Sequence, residues 1–110
     1  MKFGLSDKTI EAINSVLSKH SAVKKAIIYG SRAKGNYKNG SDIDLTLVGD
    51  GISYNELGTI DFELDDLLLP YTIDLSILCL ISDADVVDHI RRIGRPFYER
   101  RAQDEVTENH

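Results

Sequence analysis

The sequence predicts a small α/β domain with some α+β character, in which a mixed sheet of about three or four strands packs against helices. Some segments carry apolar residues at helical spacing, others alternate apolar and polar residues, and the two kinds follow one another along the chain. A chain of 110 residues, 42% of them hydrophobic, is the size of one domain with a modest core. We therefore predict a single domain over residues 1–102 and a polar tail over residues 103–110.

Three helices longer than one turn are predicted, each from a capping residue followed by an apolar stripe. Ser6 caps the first helix, Ser53 caps the second, and Ser82 with Asp85 caps the third. These side chains suit the position because they accept hydrogen bonds from the free N–H groups of a first helical turn. Pro70 is predicted to end the second helix, since proline lacks an N–H group and cannot continue the hydrogen-bond ladder.

Three strands are predicted beside these helices. Val23 to Tyr29 is a mostly apolar run, and a short helical turn is predicted to begin at Ser31. Two further segments, Ser41 to Val48 and Thr72 to Leu78, alternate between polar and apolar residues, as half-buried strands do. Neighbouring side chains of a strand point to opposite faces, so each of these two strands has one core face and one polar face.

Aspartates occupy the polar faces of both alternating strands. Asp42 and Asp44 share one face of the second strand, roughly 7 Å apart at the backbone. Asp74 lies on the polar face of the third strand and joins them if the two strands are neighbours. Carboxylate oxygens suit Mg²⁺, which completes its shell with water and substrate phosphates. The alternative is that these aspartates are only the solvent-exposed side of half-buried strands, although Asp is disfavoured in strands.

A turn that suits phosphate binding lies between the first two strands. Gly30 and Ser31 follow an apolar strand and begin a helical turn, which presents free N–H groups and a hydroxyl to an anion. The segment from Ser21 to Ser41 has no acidic residue but contains five basic ones, namely Lys24, Lys25, Arg32, Lys34 and Lys38. An ordinary turn with a solvated basic surface is the alternative interpretation.

Composition and charge argue against several classes of function. The net charge of −5 argues against generic binding to nucleic acids or anionic membranes. No stretch approaches the roughly 18 apolar residues of a membrane span, and the N-terminus lacks the apolar run of a secretory signal. The single cysteine cannot form an internal disulfide, so we predict a reducing compartment and a cytoplasmic location.

The two motifs together resemble those of a known family. The run Tyr29 to Gly35, then Gly40 to Leu45, then Asp74 on the next strand, resembles the minimal nucleotidyltransferase (MNT) branch of the DNA polymerase β-type nucleotidyltransferase superfamily. The resemblance implies a nucleotidyltransferase fold and a role for each matching residue. It implies nucleotide binding by Gly30, Ser31, Arg32 and Lys34, and metal binding and catalysis by Asp42, Asp44 and Asp74. Two Mg²⁺ ions are the implied cofactors.

The activity implied by the resemblance is transfer of a nucleoside monophosphate to a hydroxyl group, with release of pyrophosphate. ATP, or another nucleoside triphosphate, is the implied donor. Larger relatives append acceptor-binding domains that this chain lacks, so we expect another protein to bring the acceptor. Many members of the MNT branch pair with a small helical HEPN-type toxin, and some act as antitoxins that adenylylate it. One alternative is a non-catalytic antitoxin module that binds a nucleotide or a partner. Another is adenylylation of a small molecule, which would require an acceptor pocket built across an oligomer interface; a homodimer is also left open.

Overall fold

The structure is a computed structural model that describes residues 1–101, and within them a four-stranded sheet packs against helices. The elements in chain order are α1 (Asp7–Ser18), β1 (Lys25–Tyr29), α2 (Gly30–Lys34), β2 (Ile43–Val48), α3 (Tyr54–Asp65), β3 (Ile73–Ile77), α4 (Ala84–Ile93) and β4 (Arg95–Glu99). A short 3-10 turn, Leu78–Leu80, connects β3 to α4. The predicted fold class is confirmed. The polar tail predicted over residues 103–110 lies outside the described residues.

Two of the predicted helix caps are confirmed and the third is displaced. The Ser6 hydroxyl accepts a hydrogen bond from the Thr9 N–H, and the Ser53 hydroxyl accepts one from the Glu56 N–H, each at 3.1 Å. The cap of α4 is Asp83, whose carboxylate accepts from the Asp85 N–H at 2.9 Å. The prediction of Ser82 with Asp85 was therefore wrong, because α4 begins at Ala84 and only residue 83 can reach the first free N–H groups.

The sheet has the strand order β3-β2-β1-β4. β1 runs antiparallel to both β2 and β4, whereas β2 and β3 are parallel and α3 makes the crossover between them. The core face of β2 carries Ile43, Leu45 and Leu47, each with 0% exposure, as the alternation predicted. These side chains belong to a core that also includes buried residues of α1 and α3. The polar face of β2 therefore points to the other side of the sheet.

The fourth strand, β4, was allowed for in the predicted fold class but was not located in the sequence. In the sequence, Gly94 and Pro96 are typical of the end of a helix, and the arginines around them are typical of a solvated helix face. In the structure β4 is an edge strand beside β1, with Phe97 buried and a register shift opposite Pro96. Proline is tolerated there because an edge strand does not need every N–H for a neighbouring strand.

No helix within residues 1–101 is both long enough and apolar enough to cross a bilayer.

Candidate active site

Two aspartates of the polar face lie side by side on neighbouring strands. In the parallel register of β2 and β3, Asp44 is paired with Asp74. Adjacent strands lie about 4.8 Å apart, so the roots of these side chains are close. From the sequence, Asp74 joins the other aspartates only if the second and third strands are neighbours. The structure shows that they are, and this brings the two carboxylates together. Asp74 is exposed and Asp44 is half-buried.

Asp42 lies just outside the strand on which it was predicted. β2 begins at Ile43 rather than Ser41, so Asp42 belongs to the loop that leads into the strand and is exposed. The Arg32 guanidinium binds the Ser41 carbonyl oxygen, which fixes the loop before β2. Asp42 remains near enough to Asp44 to repel its negative charge. Three carboxylates therefore lie at one end of the sheet, although only two of them are on strands.

The Gly–Ser turn lies directly against this group of carboxylates. Tyr29, the last residue of β1, pairs with Asp44, so the chain enters Gly30 next to that side chain. Gly30 has φ +73°, a conformation that L-residues with a side chain rarely adopt. A Cβ atom at this position would overlap the Asp44 carboxylate. Glycine is required here both by its backbone conformation and by the close approach of Asp44.

Burial and like charge act together on Asp44. Its pKa is raised first by burial and then by the negative charges of Asp74 and Asp42. Burial also raises the pKa of the neighbouring Tyr29 hydroxyl; the hydrogen bond with Ser76 opposes this shift, and Asp74 and Asp44 add to it. A site that disfavours its own negative charges favours a cation.

The chemistry of this donor set fits a divalent cation that arrives with a nucleotide. All three side chains offer hard carboxylate oxygens, the ligands that Mg²⁺ prefers. Within residues 1–101, no three His, Cys, Asp or Glu side chains are arranged to hold a metal ion by themselves. Mg²⁺ commonly takes one or two carboxylates and completes its shell with water and substrate phosphates. Asp44 and Asp74, with Asp42 beside them, match that requirement.

Arg32 is directed into the protein, whereas the resemblance implied contact with a nucleotide. The residue is only 2% exposed. Its Nε and Nη2 atoms donate to the Ser41 carbonyl oxygen at 3.0 and 2.8 Å, and Nη1 donates to the Phe3 carbonyl oxygen at 2.9 Å. The guanidinium also lies over the rings of Tyr37 and Tyr71, at 5.2 and 4.9 Å from their centroids. Since these contacts engage all three of its nitrogen atoms, the side chain ties α2 to the loop that carries Asp42.

We expect Arg32→Lys to destabilise the protein by about 2 kcal/mol, because an ammonium group cannot bind both carbonyl groups with the geometry of the guanidinium fork. Urea unfolding followed by circular dichroism measures this free energy. Arg92→Lys is a matched control, since the Arg92 side chain is 64% exposed and pairs with Asp88 in its own helix. That change should stay within about 0.5 kcal/mol. Equal losses in the two variants would contradict the assigned role of Arg32.

The basic residues between Ser21 and Ser41 do not all lie close together in the structure. Ser31 and Lys34 lie on α2, where Ser31 is half-buried and Lys34 is exposed. Lys34 lines a cleft of about 250 Å³ together with Arg92 and Arg95. Lys25, in contrast, begins β1, and Gly30 follows the end of that strand, roughly 16 Å away. Only part of the segment is therefore near the turn.

His89 is a residue of the site that sequence reasoning missed. In the sequence, His89 shares no spacing typical of metal ligands with the other histidines, so its position alone predicts no role in a site. In the structure its Nε2 atom accepts a hydrogen bond from the Gly30 N–H at 3.2 Å, and its ring lies edge-on to Tyr29. These residues are about 60 positions apart in the chain, so no local pattern could have shown the contact.

A mixed sheet with a Gly–Ser turn after one strand and aspartates at the start of two others defines the class of the protein as a nucleotidyltransferase fold. Comparison with known proteins gives the family. Residues 11–103 match the family model described as "Polymerase beta, Nucleotidyltransferase". The chain belongs to this family, and the superfamily named from its motifs is confirmed.

One curated relative and two solved structures illustrate the similarity. A protein of Methanocaldococcus jannaschii named "Putative protein adenylyltransferase" is 35% identical over 81 residues, which are 73% of this chain and 65% of the relative. The match therefore spans slightly less than two thirds of that relative.

Among solved structures, a chain of a toxin–antitoxin complex with AMP-PNP has a TM-score of 0.68 and 17% identity, covering 88% of this chain and 78% of that one. A chain from the complex of tri-AMPylated Shewanella oneidensis HEPN toxin with MNT antitoxin has a TM-score of 0.66 and 14% identity, with coverages of 93% and 79%. At these identities the likeness establishes the fold.

Proposed function

We propose that this chain is a Mg²⁺-dependent nucleotidyltransferase that transfers AMP from ATP to a hydroxyl group of a partner protein. The observation that carries the proposal is the close approach of the Asp44 carboxylate to Gly30, which leaves no room for a Cβ atom, with Asp74 paired beside Asp44. A turn suited to phosphates and carboxylates suited to a metal ion thereby share one end of the sheet. Phosphoryl chemistry requires these two elements next to each other.

The comparisons support the choice of donor and partner. The archaeal relative is named as an adenylyltransferase of proteins, and one structural neighbour was solved with AMP-PNP. Another neighbour comes from a complex in which the HEPN toxin carries AMP groups. We therefore propose ATP as the donor and a small helical HEPN-type protein as the acceptor. We further propose that this chain is an antitoxin and that it acts in the cytoplasm, where ATP is present.

Each part of the site has a proposed task. The Gly30–Ser31 turn binds the β- and γ-phosphates, and Lys34 adds positive charge at the end of α2. Asp42, Asp44 and Asp74 are the residues that would hold the two metal ions. When bound, such ions neutralise phosphate charge and stabilise both the attacking and the leaving oxygen. Arg32 holds the turn and the aspartate loop together from inside the protein and does not contact the nucleotide.

The proposed reaction is an in-line displacement at the α-phosphorus. The acceptor hydroxyl oxygen forms the new bond to phosphorus, and the bond from phosphorus to the oxygen bridging to the β-phosphate breaks. Pyrophosphate leaves with that bridging oxygen. Asp74 accepts the proton of the acceptor hydroxyl, a task that suits it because it is exposed at the open end of the site.

The test is to incubate the chain and a HEPN-type protein encoded beside it with ATP labelled at the α-phosphate, in the presence of Mg²⁺. We expect label on the partner, and no label when ATP is labelled at the γ-phosphate instead, which separates AMP transfer from phosphorylation. EDTA should prevent the transfer. Failure to label any hydroxyl-bearing acceptor, including the partner, would refute the proposal.

The same material tests the non-catalytic alternative. If the chain neutralises its partner only by binding, a variant with both Asp42→Asn and Asp44→Asn should neutralise the partner as well as the wild type does. If AMP transfer is the mechanism, that variant should still bind the partner but should no longer neutralise it. Light scattering of the chain alone would decide whether it forms the homodimer that the sequence left open.

A further inference from the structure

His89 belongs to α4, yet it contacts the Gly–Ser turn that follows β1. Its Nε2 atom accepts the hydrogen bond donated by the Gly30 N–H, at 3.2 Å. A ring nitrogen that accepts a hydrogen bond carries no proton, so the proton of the neutral imidazole is on Nδ1. The same ring packs edge-on against Tyr29, with 6.2 Å between ring centroids and an angle of 75° between the ring planes. Two independent contacts therefore hold the ring against the turn.

Gly30 is held between side chains of two different elements. On one side its Cα lies so close to the Asp44 carboxylate that no Cβ would fit. On the other side the imidazole of His89 holds its N–H. Asp44 comes from β2 and His89 from α4, so the turn is fixed relative to both. A site for phosphoryl chemistry depends on such fixation, since displacements of about 1 Å can cost large factors in rate.

We propose that His89 is a positioning residue that holds the Gly30–Ser31 turn in register with Asp44, and so aligns a bound triphosphate with the carboxylates. This inference rests on the proposed function. It also divides the tasks of the turn between its two residues. Because the Gly30 N–H is donated to His89, the phosphates take their hydrogen bonds from the N–H and hydroxyl of Ser31. Gly30, which has no side chain, allows the turn to lie close to the Asp44 carboxylate.

Two substitutions separate the hydrogen bond from the ring contact. His89→Gln keeps an acceptor on a side chain of similar reach but removes the ring. His89→Phe keeps a ring to pack against Tyr29 but removes the acceptor. If the ring acts only through packing, the Phe variant should behave more like the wild type. If the hydrogen bond to Gly30 matters, as we propose, the Gln variant should. Thermal unfolding of both variants shows whether each is folded at the temperature of the assays.

The first readout is hydrogen exchange of the Gly30 amide, measured by NMR without nucleotide. We expect slow exchange in the wild type, faster exchange in His89→Phe, and partial protection in His89→Gln. The second readout is the affinity for AMP-PNP with Mg²⁺, measured by calorimetry. We expect about tenfold weaker binding for His89→Phe, the loss of roughly one hydrogen bond, and binding within about threefold of the wild type for His89→Gln.

The outcomes separate this inference from the function on which it rests. Wild-type affinity in His89→Phe, or equally fast exchange of the Gly30 amide in that variant and the wild type, would overturn the role of His89. If the wild-type chain bound no AMP-PNP, the proposed function and the alignment of a triphosphate would fail together. The exchange data would then still show whether His89 holds the turn.

Discussion

Replacing Asp44 by asparagine should reduce AMP transfer by about a thousandfold, equivalent to ~4 kcal/mol in the activation free energy. An amide oxygen is a weaker ligand for Mg²⁺ than a carboxylate and carries no charge to offset that of the ion. Asp44 is also the carboxylate that lies against the Gly30 backbone and pairs with Asp74, so its loss affects both halves of the site. Initial rates of partner labelling with α-labelled ATP measure the effect.

The same variant should be more stable than the wild type in metal-free buffer near neutral pH. Burial, Asp74 and Asp42 raise the pKa of Asp44, so the folded protein binds this proton more tightly than the unfolded chain does. The resulting stabilisation is fully present at pH values below the pKa that Asp44 has in the unfolded chain. It is lost as the pH rises through the higher pKa that Asp44 has in the folded protein. At neutral pH the ionised carboxylate therefore destabilises the fold, and asparagine removes that effect.

Thermal unfolding in EDTA tests this sign directly. Asp44→Asn should raise Tm at neutral pH, and the advantage should shrink as the pH falls into the range where Asp44 is protonated. Mg²⁺ with AMP-PNP should raise the Tm of the wild type but not that of the variant. Asp50→Asn is the matched control, because Asp50 is an exposed aspartate beyond the other end of β2. A lower Tm for Asp44→Asn than for Asp50→Asn in EDTA would contradict the electrostatic account.

Replacing Gly30 by alanine should reduce AMP transfer by at least about a hundredfold, since the turn and the metal ligands would move apart. The new Cβ would overlap the Asp44 carboxylate, so either that side chain or the turn must shift. A positive φ adds a cost of roughly 1–2 kcal/mol for any L-residue with a side chain. We therefore expect a lower free energy of unfolding as well as the loss of activity.

Gly35→Ala separates these two effects. Gly35 also has a positive φ, +88°, but nothing lies within 4 Å of the position of its Cβ. The Gly35→Ala variant should lose about 1 kcal/mol of stability, the part of the Gly30→Ala effect that comes from the positive φ. Its rate of AMP transfer should remain that of the wild type. Urea unfolding and labelling rates on the same preparations give both quantities. If Gly30→Ala transferred AMP as fast as Gly35→Ala, the close approach of Gly30 to Asp44 would have no role in the reaction.

Several features that were missed or misplaced share one cause, which is that they depend on residues far apart in the sequence. The resemblance implied that Arg32 binds the nucleotide, but its guanidinium donates to the Phe3 and Ser41 carbonyl oxygens inside the protein. His89 accepts the hydrogen bond of the Gly30 N–H, 59 positions away in the chain. β4 was not located because its proline and arginines are equally compatible with a helix end, and only the free edge of β1 makes it a strand.

The sequence by itself determined the local structure: the Ser6 and Ser53 caps, the core face of β2, and a Gly–Ser turn followed by an Asp-x-Asp motif. These depend on spacings of a few residues, which the geometry of helices, strands and turns fixes directly. Only the tertiary structure decided that Asp74 lies beside Asp44, that Arg32 faces inward, and that His89 holds the Gly30 N–H. Strand order and helix packing set these contacts, because they minimise the free energy of the whole chain rather than of any one segment.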